Sequence, residues 1–144
     1  QRQMCIRDRS RFASVAITHH ASLLAAKSFE AQGQTDKAKA ALQFVVTHAD
    51  DEGLKALARW RLAGLQIQAQ DWAAAKESLT GASVPSAFQA LFDERLGDWA
   101  ALQGQKEQAK VAYEKALKDP SLDPSQRRWL EPKLSSLGAA LQEK

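Results

Sequence analysis

A short pattern of small and large residues occurs three times along the chain, at spacings of 37 and 34 residues. Ala75-Lys76-x-x-Leu79-x-x-Ala82 returns as Ala109-Lys110-x-x-Tyr113-x-x-Ala116 and is preceded by Ala38-Lys39-x-x-Leu42-x-x-Val45. The small residues let one helix seat closely between its neighbours, and the large apolar residue fills the space between them. A repeat of this length cannot bury its apolar stripe alone, so stacked units must share a continuous core.

A second set of equivalent positions precedes each copy of the pattern. The pairs Ala25-Ala26, Leu62-Ala63 and Leu96-Gly97 hold equivalent positions, and short breaks follow at Gly33-Gln34, Gln70-Asp71 and Gly104-Gln105. A small residue at the centre of a first helix allows the paired helix to approach it closely. Alanine, leucine, glutamine and lysine dominate the composition, which favours helix because their side chains lose little rotamer freedom there. The sequence therefore predicts pairs of helices.

The third unit, from Ala90 to Pro120, resembles a tetratricopeptide repeat, although Asp93 stands where that family usually has tryptophan. The resemblance implies an all-α fold, a tetratricopeptide-like right-handed solenoid of three helix pairs plus a C-terminal capping helix. We expect the repeats at about 12–48, 51–82 and 85–120 and the capping helix at about 124–142. The three-residue excess between the first two units predicts a longer turn around Thr47 to Asp51.

Capping residues support these boundaries. Thr35, either Asp50 or Asp51, and Asp71 each precede a predicted helix and offer an oxygen to its unpaired first-turn amides. Pro85 suits a first helical position, and Asp123-Pro124-x-Gln126 is typical of an N-cap, a first-turn proline and a capping box. We expect the last helix to kink at Pro132 and to cap repeat three with the leucines of one side, Leu130, Leu134, Leu137 and Leu141.

The first nine residues, Gln1 to Arg9, lack the helical apolar period of the rest of the chain. They resemble a peptide that arises when sequencing-adapter read-through is translated. We therefore expect residues 1–9 to be foreign to the protein and residues 10–144 to form the domain. The only cysteine and the only methionine, Cys5 and Met4, lie there too, so we expect the remainder to be the C-terminal piece of a longer protein.

Removing that segment also changes the charge. Without Arg2, Arg7, Arg9 and Asp8, the 20 basic and 17 acidic residues become 17 and 16, so the net charge falls from +3 to +1. The apparent pI of about 9.1 then gives no reason to expect nucleic acid or an anionic membrane as a partner. No apolar stretch approaches the roughly 18 residues that span a bilayer.

No group of residues forms a predicted active site. His19 and His20 are adjacent and project about 100° apart on a helix, so they cannot share a metal as residues at i and i+4 do. His48 lies in the last turn of a predicted helix, where a partly cationic imidazole complements the helix dipole. Asp50-Asp51 and Asp93-Glu94 are interpreted as capping or solvated carboxylates. We predict no enzyme, no metal and no cofactor.

The four tryptophans bear on where a partner binds. Trp72 is predicted to lie in the core and Trp129 to pack the closing helix against repeat three, while Trp99 fits either role. By alignment Trp60 faces the concave surface, where a tryptophan serves as a binding anchor, although a buried core position is the alternative. The same alignment predicts a partner-binding concave face of seven residues: Leu23, Lys27, Glu30, Trp60, Ile67, Glu94 and Asp98. Glu94 and Asp98 would repel a partner's carboxylate, which argues against a cytosolic co-chaperone.

From about Phe12 to Leu141 the chain also resembles the ancillary SecYEG translocon subunit (YfgM-like) family. The similarity lies in Ala-Lys-x-x-Glu-x-x-Gly at 26–33, Ala-Lys-Ala-Ala-Leu-Gln at 38–43, Leu-Ala-Arg-x-Arg-Leu-Ala at 57–63, Glu94-x-x-Gly97-Asp98 and Lys-Leu-Ser-Ser-Leu at 133–137. The resemblance implies a periplasmic domain on a single membrane anchor upstream of Arg11. Its partners would be the translocon, a membrane-bound prolyl-isomerase-like chaperone and nascent chains. A generic scaffold of another envelope or secretion complex is the alternative, and a regulatory domain of an enzyme is a further one that no residue supports.

Overall fold

The structure of the chain, a computed structural model, describes the backbone of residues 2–142 and the side chains of residues 17–138. Over this range it contains helices and no strand, which confirms the all-α class. The helices are α1 (Arg2–Ala31), α2 (Thr35–His48), α3 (Glu52–Gln68), α4 (Trp72–Thr80), α5 (Gln89–Leu102), α6 (Lys106–Lys118) and α7 (Pro124–Gln142), with a 3-10 turn at Ser86–Phe88.

The chain divides into two compact units, Gln1–Leu62 and Ala63–Lys144, with the boundary inside α3. In the first unit α1 packs against α2. In the second unit α4 packs against α5, α5 against α6, and α6 against α7. Sequential helices are therefore spatial neighbours within each unit, as helix pairs joined by short turns require.

The turns inside the three helix pairs share one geometry. Gly33, Gln70 and Gly104 lie in the left-handed region, with φ of 70°, 58° and 74°. The next residue in each turn, Gln34, Asp71 or Gln105, donates its backbone N–H to a carbonyl five residues earlier at 2.8 to 3.0 Å. This bond satisfies a carbonyl that the helix end leaves open. The three breaks predicted by self-comparison are therefore equivalent turns.

The repeated small and large residues form the core. The first copy of the pattern is fully buried at Ala38, Leu42 and Val45, and the third at Ala109, Tyr113 and Ala116. The second copy buries Ala75 and Leu79, but Ala82 is exposed because α4 has already ended at Thr80. The prediction that Ala82 is an equivalent core residue is wrong. Gly81 and Pro85 explain the early end, since glycine weakens a helix and proline disfavours helix just before it.

The predicted long turn between the first two repeats is also wrong. Residues 49–51 alone connect α2 to α3. The three additional residues lie in the first helix of the second pair, because α3 has 17 residues and the corresponding α5 has 14. The connection from α4 to the 3-10 turn runs from 81 to 85, so the loop that follows the second repeat is longer than the one that follows the first.

The capping predictions are confirmed at three of the four helices. The Asp51 carboxylate accepts from the Leu54 N–H at 2.7 Å, and that of Asp71 from the Ala74 N–H at 3.3 Å. At α7, Asp123 accepts from the Ser125 N–H while Gln126 accepts from the Asp123 N–H, which completes a capping box. Thr35 is not a cap: it is the first residue of α2, whose N-cap is Gln34.

Two predicted helix starts differ from the observed ones. Pro85 precedes the 3-10 turn, and α5 begins only at Gln89. Helix α1 begins at Arg2, well before the predicted start at about 12, and so includes residues of the segment predicted to be foreign. Side chains before residue 17 lie outside the described part of the chain, and the origin of that segment stays a prediction.

Helix α7 runs through Pro132 and buries one face against the last repeat. Leu130 is fully buried, and Leu134 and Leu137 are half-buried; the side chain of Leu141 lies outside the described residues. Trp129 is 75% exposed, so the prediction that it packs α7 against repeat three is wrong. Neighbouring helical residues project about 100° apart, and the helix turns Leu130 inward and its neighbour outward.

A candidate protein-interaction surface

An ammonium group and two carboxylates meet on the second unit, where α7 lies near α5. The Lys133 Nζ donates to Glu94 Oε1 at 2.9 Å and to both carboxylate oxygens of Asp98 at 2.9 and 3.1 Å. The Tyr113 hydroxyl donates to Asp98 Oδ1 at 2.7 Å, and its ring centroid lies 5.9 Å from the same Nζ. We call these four residues, Glu94, Asp98, Tyr113 and Lys133, the acid–lysine cluster.

Their surroundings shift the titration of two members. Burial raises the pKa of Tyr113, and the hydrogen bond to Asp98 and the charges of Asp98 and Glu94 raise it further. Burial alone would lower the pKa of Lys133, but its hydrogen bonds to Asp98 and Glu94 outweigh that effect and raise it. At neutral pH the cluster therefore holds a protonated tyrosine and a charged lysine.

Asp93, next to the cluster in sequence, is a buried charge. It is 3% exposed, and its carboxylate accepts from Lys115 Nζ at 2.9 Å and from Gln89 Nε2 at 3.2 Å. The interpretation of Asp93 as a capping or solvated residue is wrong. The two donors explain how the carboxylate is accommodated at a position where a tetratricopeptide repeat usually has tryptophan, since a buried charge requires hydrogen-bonded partners.

Four of the seven predicted partner-binding residues belong to the first unit. Leu23 is 7% exposed, and its carbonyl accepts from Arg61 Nη1 at 3.1 Å, so it contributes to the core. Lys27 is exposed on α1, and Glu30 is half-buried. Trp60 on α3 is half-buried, which leaves part of its surface available to a partner.

The other three belong to the second unit. Ile67 is 7% exposed and offers little side-chain surface. Glu94 and Asp98 are half-buried on α5 and are brought together by Lys133 in the acid–lysine cluster. The structure therefore shows that the acidic positions of the predicted face accept a cation from within the chain.

Lys133 and Tyr113 are not among the residues predicted for this surface. Lys133 lies 35 residues from Asp98 and 39 from Glu94, so no local spacing connects them. Tyr113 was identified only as the large residue of the repeat pattern. The one available signal was the acidic pair on α5, which indicates a nearby cation without saying which.

The remaining tryptophans and histidines have structural partners. Trp99 is buried, and its indole N–H donates to the Trp72 carbonyl at 2.9 Å; Trp72 itself is half-buried at the start of α4. His19 is buried with its ring 5.9 Å from that of Phe44, while His20 is exposed, so the two adjacent histidines do point to different sides. His48 lies in the last turn of α2, as predicted, and its ring stacks on that of Phe44 with the centroids 4.5 Å apart.

Neither a metal site nor a membrane span is found in the part of the chain that the structure describes. No group of three or more histidine, cysteine or acidic side chains there has an arrangement able to hold a metal ion. No helix of that part has both the length and the apolarity to cross a bilayer.

Paired helices with equivalent turns and a core of small residues define a helical-repeat protein. The model of the tetratricopeptide repeat-like domain family matches residues 7–139, and the chain belongs to that family. Domains of this type are in general scaffolds for protein partners. Comparisons with the curated proteins and with the solved structures returned no match.

Proposed function

We propose that this domain is a non-catalytic protein-interaction module, the periplasmic part of an ancillary translocon subunit that links SecYEG to periplasmic chaperones. The observation that carries the proposal is the helical-repeat fold itself, matched by the family over residues 7–139. The translocon assignment depends on the sequence similarities at 26–33, 38–43, 57–63, 94–98 and 133–137.

The charge of the candidate surface supports a particular kind of partner. Glu94 and Asp98 supply two carboxylates against the single ammonium of Lys133, so this part of α5 keeps an excess of acidic groups and disfavours a partner's carboxylate. A domain that captures the C-terminal carboxylate of a cytosolic chaperone needs the opposite charge. A segment of a chaperone or nascent chain with apolar and basic side chains fits better.

We place the domain on the periplasmic face of the bacterial inner membrane, held by a single-pass anchor upstream of Arg11. The placement follows from the resemblance. A pull-down from detergent-solubilised membranes with the full-length anchored protein as bait tests it. Recovery of translocon subunits and the membrane-bound chaperone is expected. Recovery of only soluble cytosolic proteins contradicts the assignment, and recovery of a different envelope complex favours the general scaffold.

Trp60 provides a test of the binding face. We expect Trp60→Ala to weaken capture of the partner more than it lowers the melting temperature, because the side chain is only half-buried. Trp129→Ala is the matched control, since Trp129 is 75% exposed and is not among the predicted binding residues. If Trp60→Ala unfolds the domain, Trp60 is a core residue and the predicted face is wrong.

A further inference from the structure

We propose that α7 separates reversibly from the rest of the second unit, and that the ion pairs of Lys133 set the population of this open state. Closed, α7 neutralises Glu94 and Asp98 through the Lys133 ammonium. Open, it exposes both carboxylates on α5. The inference concerns residues 63–144 alone and goes beyond the proposed function, because it describes a conformational control of the surface rather than its partner.

The polar side of this contact is extensive. One ammonium bonds three carboxylate oxygens at 2.9, 2.9 and 3.1 Å and lies over the Tyr113 ring. The Tyr113 hydroxyl fixes Asp98 from the opposite helix at 2.7 Å, so the carboxylate is already oriented towards Lys133. A preoriented, multidentate ion pair holds more strongly than an isolated surface pair.

The apolar contacts of α7 are few by comparison. Among the described side chains of α7, Leu130 is the only large one that is fully buried, and Leu134 and Leu137 are half-buried. Pro132 lies inside the helix, where it has no N–H to donate to the carbonyl four residues earlier. Trp129, the largest side chain of the helix, is 75% exposed and adds little to docking. Helices with few buried contacts are those that open locally before the rest of the fold.

Hydrogen–deuterium exchange on the full chain, followed by mass spectrometry of its peptides, tests this. We expect Lys133→Gln to speed exchange of the α7 amides by roughly three- to tenfold, with α5 and α6 unchanged, since a partly exposed ion pair contributes modestly. Arg128→Gln is the matched control, because it removes the same charge from an exposed position of the same helix.

Asp98→Asn supplies a second variant. Combined with Lys133→Gln it should add little to the effect of Lys133→Gln alone, because that change already removes both bonds between Lys133 and Asp98. The proposal is overturned if α7 in Lys133→Gln exchanges as it does in Arg128→Gln, or if α5 and α6 accelerate equally. No partner is present in this measurement, so its outcome is independent of the membrane pull-down.

Discussion

The ring of Tyr113 on α6 occupies the space that a β-carbon on Gly97 of α5 would need. The two residues are therefore complementary in shape. Because Gly97 has no side chain, α5 and α6 approach closely, and the Tyr113 ring fills the space beside the glycine. The Tyr113 hydroxyl then reaches Asp98, the neighbour of Gly97, at 2.7 Å. One close approach between two helices therefore positions both a core side chain and a carboxylate of the acid–lysine cluster.

Gly97→Ala should lower the free energy of unfolding by about 1 to 3 kcal/mol, because the added methyl group must displace a ring that is held in place at its hydroxyl. Urea denaturation followed by circular dichroism measures this. Gly138→Ala on α7 is the control: a β-carbon there meets no atom within 4 Å, so we expect a gain of about 0.5 to 1 kcal/mol. Equal effects at both positions would contradict the close packing of Tyr113 on Gly97.

Gln70→Gly should raise the free energy of unfolding by about 1 kcal/mol, because Gln70 has a φ of 58°, which strains a residue with a β-carbon. The equivalent turn residues, Gly33 and Gly104, provide the reverse experiment. A β-carbon at either meets no atom within 4 Å, so Gly33→Gln and Gly104→Gln cost only the backbone strain, again about 1 kcal/mol. Chemical denaturation of the three variants measures these changes. If Gln70→Gly lowers the free energy of unfolding instead, the three turns are not equivalent.

Gln105→Asp should stabilise the chain by about 0.5 to 1 kcal/mol. Gln105 is an N-cap without a side-chain capping bond, yet its φ of −84° and ψ of 66° nearly match the −84° and 75° of Asp71, whose carboxylate does cap α4. Asp71→Ala should cost about 1 kcal/mol for the same reason. Thermal unfolding by calorimetry compares the two variants, and a neutral or destabilising Gln105→Asp would refute the transfer.

Alkaline pH should destabilise the second unit. The pKa values of Tyr113 and Lys133 are both raised in the folded chain, so the unfolded chain loses these protons first as the pH passes about 10. The stabilisation is fully present below the unfolded pKa and is lost as the pH rises towards the folded one, by about 1.4 kcal/mol per pH unit for each proton.

Tyrosinate absorbance near 295 nm follows this directly, because Tyr113 is the only tyrosine of the chain. In folded protein the absorbance should rise well above pH 10 and together with unfolding. Tyr113→Phe is the control, and we expect its free energy of unfolding to fall less steeply over the same range. Ionisation of Tyr113 near pH 10 without loss of helix would contradict the buried hydrogen bond to Asp98.

The sequence predicted the features that depend on residues close to one another in the chain. Self-comparison located the three turns and the small residues where helices meet, and capping patterns predicted the caps at Asp71, at Asp123 and at either Asp50 or Asp51. It also identified the class of fold, because a repeated stripe of small and large residues leaves few ways to bury it. It failed at Ala82, where a glycine and a proline ended the helix before the pattern did.

The sequence predicts that the leucine side of α7, with Leu130, meets repeat three, but only the tertiary structure decided that Trp129 is exposed rather than packed there. It also decided that the buried Asp93 pairs with Lys115 and that Lys133 forms ion pairs with the two acidic residues of the cluster on α5. Helical periodicity states which residues share a face, but it does not state how a helix is rotated and shifted against a partner. Packing between residues 35 and 39 positions apart fixes that register, and no local pattern encodes it.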